Sequence, residues 1–338
     1  MDPGPRLAIS YVLPLRWQDT GPVRELSRYL NSLCGSVAQV ILVDGSPPPV
    51  YAAVGEACPR QVQHVPPDPA HCGAMGKVPG VLTGLELADH DRIVIADDDV
   101  RWERPELRRV AALLTDWEVV RPQNYFSALP WHARLDTARS LLNRVWSGDP
   151  DLGPGDFPGT LGVRLGFLRR CRGYDGDSLF ENLELMRTVL ANGGRVNTPL
   201  DLYVARRPPK TAHFLSQRVR QAYDDFAIPR RMAAWLGLVP IASGLALTGT
   251  YTPLAIAAAG AIVVAEVGRR RAGGASYFPL SASLLAPVWL AERAVCSWLA
   301  LRDRLLRGGV VYGDSRLRRS SRTMSELRTL AGAPSGDP

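Results

Sequence analysis

Residues 92–102 of this 338-residue chain read Arg-Ile-Val-Ile-Ala-Asp-Asp-Asp-Val-Arg-Trp. An apolar run of strand length delivers three consecutive carboxylates, Asp97, Asp98 and Asp99, to its C-terminal end. Alternation along an extended chain points Asp97 and Asp99 to the same side. Two carboxylates at the mouth of a buried strand suit a hard divalent cation, Mg²⁺ or Mn²⁺, which keeps few protein ligands and takes the rest from water and phosphate oxygens. Alone, the triplet also reads as a solvated turn, so its weight depends on the other residues capable of chemistry.

Several accompany it. Val-Ile-Leu-Val-Asp44-Gly45-Ser46 ends a second apolar run in a carboxylate that can accept from a nucleobase imide or a ribose hydroxyl, with Gly45 allowing close backbone approach. Gly76-Lys77 opens a helical pattern, an anion-friendly position from which the ammonium can reach a phosphate. Gly159-Thr160-Leu-Gly162 follows a Gly/Pro-rich stretch and offers small residues as the floor of a substrate site. Between them, Tyr125, Phe126 and Trp131 can stack on a sugar or a lipid headgroup or pack a core, and His132 reads as structural. Arg134, Arg139 and Arg144 in the following helical pattern face either acidic headgroups or solvent.

The elements that must position these groups alternate along the first 228 residues. Strands are expected at 7–13, 39–43, 61–65 and 92–96, and helices at 23–33, 50–57 and 78–88. This βαβα rhythm predicts an α/β fold with a doubly wound, mostly parallel sheet, in which ligands bind beyond the C-terminal strand ends. Asp44 and the triplet both fall there.

Composition narrows the rest. The net charge is +7, but much of the arginine lies after residue 206 around apolar segments, and no basic–aromatic interleaving of a base-stacking surface occurs, so nucleic acid is not expected as a partner. Five scattered cysteines without metal spacing read as free thiols. The N-terminus enters the run 7–13 almost directly, which suits a first strand and not a signal core.

Residues 232–267 contain a single Asp, Glu, Lys or Arg, Glu266. With the turn signal Gly249-Thr-Tyr-Thr-Pro253 at the centre, they read as a helical hairpin, 232–248 and 252–267, within a transmembrane unit at 229–272. Arg230 and Arg231 precede it and Arg269 to Arg271 follow, so the positive-inside rule places both ends and the N-terminal domain on the cytoplasmic side of a cell membrane. Segment 273–308 carries one helical apolar face, with Glu292, Arg293, Arg302 and Arg304 interrupting the rest of the helix; it reads as an amphipathic interfacial helix, with a third span as the alternative. Residues 309–338 read as a basic, disordered tail.

In this order and spacing the chain resembles the family 2 glycosyltransferases, which carry the GT-A fold. The resemblance rests on the strand Ile9-Ser-Tyr-Val-Leu-Pro14, Asp44-Gly-Ser46, Gly76-Lys77, the DxD motif Asp97-Asp98-Asp99, the acceptor loop Gly159-Thr-Leu-Gly162, Tyr174-Asp-Gly-Asp-Ser-Leu-Phe-Glu-Asn182 and Gln217-Arg-Val-Arg220, and extends over about residues 7–228. The membrane segments make it most similar to lipid-glycosylating members, including the ceramide glucosyltransferase-like branch. The resemblance implies inverting, metal-dependent transfer from a UDP- or GDP-sugar. Asp44, Lys77, Asp97, Asp98 and Arg220 would bind the nucleotide-sugar and Asp97 and Asp99 the metal. Gly159, Thr160, Gln217 and Trp131 would lie at the acceptor.

Two departures shape the expectation. Asn182 stands where the family has its catalytic aspartate, and an amide is no base at neutral pH. Glu181 is the substitute, with Asp177 and Glu184 behind it; an ionised lipid phosphate acceptor would need no base at all. Gln221 replaces the aromatic residue of QxxRW, which argues for transfer of a single sugar to a membrane lipid or polyprenyl-phosphate. The competing readings are a nucleotide-sugar-binding scaffold without turnover and a membrane-anchored nucleotidyltransferase.

Overall fold

A computed structural model describes residues 4–71, 77–147, 159–171, 174, 181–312, 315–317 and 319–332. The chain divides into two compact units: residues 1–124, 158–205 and 323–338 form the first, and 125–157 with 206–322 the second.

Among the described residues, the first unit is built on a seven-stranded sheet. Its strands are β1 (Leu7–Leu15), β2 (Val37–Asp44), β3 (Val62–Val65), β4 (Arg92–Ala96), β5 (Val119–Val120), β6 (Thr160–Arg164) and β7 (Val196–Asn197). The order is β3-β2-β1-β4-β6-β5-β7. The first four run parallel and β6 returns antiparallel to β4. The mostly parallel sheet expected from the alternating runs is present, and β1 is central because its side chains from Ile9 onward are all buried. The walk reverses at β1: β2 and β3 lie on one side and β4 on the other, so the crevice of a topological switch opens at the C-terminal ends of β2, β1 and β4.

The two faces of β1 are packed differently. Ile9, Tyr11 and Leu13 meet Leu26, Leu30 and Leu33 of the helix Val23–Ser36 in the main core. On the other face lies the helix Lys77–Glu86, held very near because Gly80 and Gly84 face the sheet. A Cβ on Gly84 would fall 2.3 Å from Val12 Cγ1, and one on Gly80 3.1 Å from Pro14 Cβ. This close approach brings Lys77, the first residue of that helix, to the ligand edge.

The second unit is helical. Trp131–Trp146, Thr211–Tyr223, Pro229–Leu247, Thr252–Arg270 and Ala286–Leu306 are its long helices among the described residues. The expected hairpin appears as Pro229–Leu247 and Thr252–Arg270, joined by residues 248–251 with Gly249 at φ +69°. Only the second of these, extended to Thr252–Ser276, is long and apolar enough to cross a membrane among the described residues. The first begins with Pro229-Arg230-Arg231 and contains Pro240.

Two expectations are corrected here. Glu292 and Arg293 do not form the polar side of an interfacial helix: both turn inward, Glu292 to Arg218 (2.5 and 2.9 Å) and Arg293 to Asp225 (3.6 Å). That leaves Leu284, Val288, Val295 and Trp298 on the exposed side. Arg139 and Arg144 are also turned inward, Arg139 to Asp136 and Arg144 to the carbonyls of Gly268 and Arg271, whereas Arg134 is exposed and donates to Leu129 O. Burial pushes the Asp136 carboxyl up, but the guanidinium groups of Arg139 and Arg218 outweigh that and hold it below the ordinary carboxylate value.

The expected disordered tail is ordered in part. Val310–Tyr312 and Ser315–Leu317 pair antiparallel. In the first unit, Met324–Gly332 forms a helix packed on Glu181–Ala191, with Leu327 fully buried. Thr323 and Glu326 explain its start: Thr323 N donates to Glu326 Oε2 and Glu326 N to Thr323 Oγ1, a reciprocal cap.

Candidate active site

Three turns meet at the ligand edge of the first unit. Asp44 ends β2, in register with Leu15 of β1, and Gly45 N donates to Leu15 O at 2.8 Å. Asp44 is 1 % exposed. Its Oδ1 accepts from Ser46 N (2.9 Å) and its Oδ2 lies 3.1 Å from His64 Nε2. The His64 ring stacks on Tyr51 at 4.2 Å. Burial pushes the Asp44 carboxyl up, yet the hydrogen bonds from His64 and Ser46 prevail and hold it below the usual carboxylate value. Asp44 stands where expected, already held from within by an imidazole and a backbone N–H.

The acidic triplet differs from its sequence reading in one respect. β4 ends at Ala96, and Val100 N donates to Asp97 O at 3.1 Å, so residues 97–100 form a turn. Strand alternation therefore does not set the three side chains. Asp97 Oδ1 lies 2.5 Å from Lys77 Nζ, while Asp98 Oδ2 accepts from the indole Nε1 of Trp17 at 2.6 Å. Asp99 is half-buried in the same turn. Asp98, expected at the nucleotide, has one carboxylate oxygen committed to a tryptophan.

Lys77 makes a second ion pair, with Glu181 Oε1 at 2.8 Å. Burial favours the neutral amine, but Asp97 and Glu181 outweigh it and raise its pKa well above that of an ordinary lysine. The ammonium expected to meet a phosphate thus bridges the DxD turn and the first residue of the helix Glu181–Ala191. Glu184 is fully buried in that helix, which leaves Glu181 as its edge-facing carboxylate. Asp177 lies outside the described residues.

Gly159 and Thr160 divide. Gly159 O accepts from Asp97 N at 2.7 Å, and a Cβ on Gly159 would fall 2.2 Å from Asp97 Oδ2, so no larger residue fits beside this carboxylate. Thr160 is corrected: its hydroxyl, 1 % exposed, donates to Ile95 O (2.6 Å) and accepts from Trp102 Nε1 (2.9 Å). It holds β6 to β4 and presents nothing to an acceptor.

Trp131, Gln217 and Arg220 belong to the second unit. Trp131 is exposed at the start of its helix, edge-on to His132 and Phe214. His132 donates from Nε2 to Pro209 O at 2.9 Å, and its Nδ1 lies 3.3 Å from Thr211 Oγ1, the structural role expected of it. Gln217 lies on Thr211–Tyr223, its Oε1 buried without a hydrogen-bond partner among the described residues. Arg220 sits one turn further along; between them Arg218, not singled out from the sequence, carries the helix's main ion pairs to Glu292 and Asp136. Trp17 was missed as well. Its position directly after the first strand, at the ligand edge, was the available signal.

No family model matches the sequence, and no curated protein matches it. Among solved structures, the chain is similar to the mannosyltransferase PcManGT from Pyrobaculum calidifontis in complex with GDP-Man and Mn²⁺, at 19% identity and TM-score 0.50 over 88% of each chain. Glucosyl-3-phosphoglycerate synthase from Mycobacterium tuberculosis, in complex with Mn²⁺, UDP and phosphoglyceric acid, aligns at 15% identity and TM-score 0.44, over 62% of this chain and 74% of that one. The first likeness shows a shared fold along most of the chain.

Proposed function

We propose that the protein is an inverting, metal-dependent glycosyltransferase that moves one sugar from a UDP- or GDP-sugar to a membrane lipid or polyprenyl-phosphate acceptor. The observation that carries this is the Asp97–Lys77–Glu181 bridge at the strand ends of a fold shared with a GDP-Man-bound mannosyltransferase. A strand-end carboxylate turn, a buried cation and a second carboxylate supply the donor-side and acceptor-side groups that sugar transfer needs.

The residues fit a divalent cation. Asp97 and Asp99 offer hard oxygen donors in one turn, and the Lys77 ammonium against Asp97 Oδ1 shows that this position accepts positive charge. Among the described residues no group of three or more His, Cys, Asp or Glu side chains could hold a metal alone. Two carboxylates would leave the remaining positions of a Mn²⁺ or Mg²⁺ ion to diphosphate and water oxygens. Bound there, the metal would neutralise charge on the departing nucleoside diphosphate.

The chain's own groups do the rest. Asp44 accepts from base or ribose, its orientation set by Ser46 and His64. Lys77 exchanges carboxylate for phosphate as charge develops, an electrostatic role in a half-buried site. Glu181 Oε1 takes the proton of an acceptor hydroxyl, which raises the oxygen's nucleophilicity as it attacks the anomeric carbon. The exposed apolar residues of the hairpin, Ile241, Leu247, Ile256 and Val263, support a cell-membrane location, with the first unit on the cytoplasmic side by charge asymmetry.

The deciding experiment is calorimetric titration of the detergent-purified chain with UDP, GDP and CMP, with and without Mn²⁺. Metal-dependent binding of one nucleoside diphosphate, lost in Asp99→Asn, is the expected result. Absence of binding under every condition would sink the proposal.

A further inference from the structure

Trp17 makes two contacts that tie separate parts of the ligand edge together. Its indole Nε1 donates to Asp98 Oδ2 at 2.6 Å, and its backbone N donates to Ser46 Oγ at 2.9 Å. Ser46 N in turn donates to Asp44 Oδ1. One residue after β1 therefore spans the turns that end β2 and follow β4.

The 97–100 turn is also held through its backbone. Arg101 Nη1 donates to Asp98 O and to Val100 O, each at 2.7 Å. Its guanidinium is fixed by Glu25 (2.9 and 2.6 Å) and lies 4.5 Å over the Tyr29 ring, whose hydroxyl accepts from Trp102 N at 2.8 Å. Arg101 thus holds the turn's backbone at two carbonyls, Tyr29 holds the residue that follows it, and Trp17 holds the Asp98 side chain.

We infer that Trp17 is a positioning residue of the donor site: its indole N–H holds the Asp98 carboxylate aside, so that the turn presents Asp97 and Asp99 to the cation, and it couples this turn to the Asp44–Ser46 turn. The inference rests on the donor-site reading above. Its chemistry differs from that of the Lys77 contact. An indole N–H is a neutral donor, so it engages Asp98 Oδ2 without placing a second cation beside the site. A rigid ring with two side-chain torsions holds that geometry at low entropic cost. A hydrogen bond to a charged acceptor is strong enough for its loss to be read as about tenfold in affinity.

The test uses the full chain in detergent, titrated with Mn²⁺ at saturating nucleoside diphosphate, alongside initial rates and thermal unfolding. Trp17→Phe keeps the ring and removes the N–H. It should raise the Mn²⁺ concentration for half-saturation about tenfold while turnover at saturating Mn²⁺ stays within about threefold. Asp98→Ala should reproduce this shift, and the double variant should be no worse than the weaker single one, because both remove the same contact. Asp98→Asn, whose amide oxygen still accepts from the indole, should restore the Mn²⁺ response to within about threefold.

Should Trp17→Phe prove unstable, Asp98→Ala and Asp98→Asn carry the comparison alone. A wild-type Mn²⁺ response in Trp17→Phe would overturn the inference. So would loss of Mn²⁺ in Asp98→Asn as complete as in Asp99→Asn, which would make Asp98 a ligand. A wild-type chain that binds no nucleotide overturns the donor-site reading with it; an unchanged Mn²⁺ response in a nucleotide-binding protein overturns this inference alone.

Discussion

Lys77 and Glu181, 104 residues apart in sequence, are joined by a 2.8 Å ion pair, with Asp97 on the other side of the same ammonium. In this arrangement Lys77 screens two carboxylates that would otherwise repel; in the proposed mechanism its release toward a diphosphate would free Glu181 to accept a proton. Lys77→Met should therefore lower kcat/KM by about 10²-fold or more, from lost electrostatic stabilisation. Glu181→Gln should lower turnover on a hydroxyl acceptor by about 10²–10⁴-fold while nucleotide binding persists. With an already ionised phosphate acceptor the Glu181→Gln effect should shrink to within about tenfold. Initial rates on both acceptor classes, with calorimetric nucleotide binding as the control, decide it; unchanged rates on the hydroxyl acceptor would remove Glu181 from the mechanism.

Chelation should abolish turnover, and added Mn²⁺ should restore it. Asp99→Asn should fall steeply in turnover with its thermal unfolding little changed, since the residue is half-buried in a surface turn. Retained activity in that variant would take the metal away from the 97–99 turn.

The sheet was legible because its strands are apolar runs punctuated by helical periods, and Asp44 and the triplet were placed at strand ends by that same logic. What alternation missed is the turn: the chain bends at Asp97, so side-chain direction follows turn geometry and the Trp17 and Lys77 contacts. Those contacts depend on tertiary placement. Glu292 and Arg293 read as the polar side of an interfacial helix because their partners Arg218 and Asp225 lie on other helices; Arg218 and Glu292 are 74 residues apart. The C-terminal helix is a different kind of miss. Thr323-Met-Ser-Glu326 is a readable capping box, but the arginine-rich composition before it suggested disorder.

Gly159 and Gly84 test the packing that sets the site. A Cβ on either meets its neighbour far inside contact distance, Asp97 Oδ2 at 2.2 Å and Val12 Cγ1 at 2.3 Å. Gly84→Ala should cost about 1–3 kcal/mol by displacing the Lys77 helix from β1, seen in urea unfolding and in weaker nucleotide binding. Gly159→Ala should impair Mn²⁺-dependent binding more than stability, because the group displaced is a carboxylate at the edge. Equal and purely structural losses in the two variants would argue against a ligand role for Asp97.

The buried pair of Asp136 and Arg218 predicts an acid dependence. The Asp136 pKa is depressed in the folded chain, so the unfolded chain binds its proton first as pH falls. Its stabilisation is complete above the unfolded value of about 3.9 and is lost as pH falls through the lower folded value. Asp136→Asn should therefore flatten the stability profile below about pH 4, while destabilising at neutral pH because Arg218 loses a charged partner. Unfolding curves at pH 3 and pH 7 measure both effects; an identical acid profile in the variant would show that Asp136 does not control it.

The exposed apolar side chains of the hairpin predict association with a bilayer. Ile256 and Val263 are 67 % and 62 % exposed on the helix Thr252–Arg270, and burying them in lipid removes apolar surface from water. In contrast, an acidic residue at the middle of a span costs about 2.5–3.5 kcal/mol on insertion scales. The wild-type chain should float with phospholipid vesicles, and Ile256→Glu with Val263→Glu should reduce the floated fraction at least tenfold. Nucleotide binding by the first unit should survive those substitutions, since they lie in the second. Flotation unaffected by the two glutamates would place membrane contact elsewhere, and a wild-type chain that stays with the soluble fraction would point instead to a partner protein covering this face.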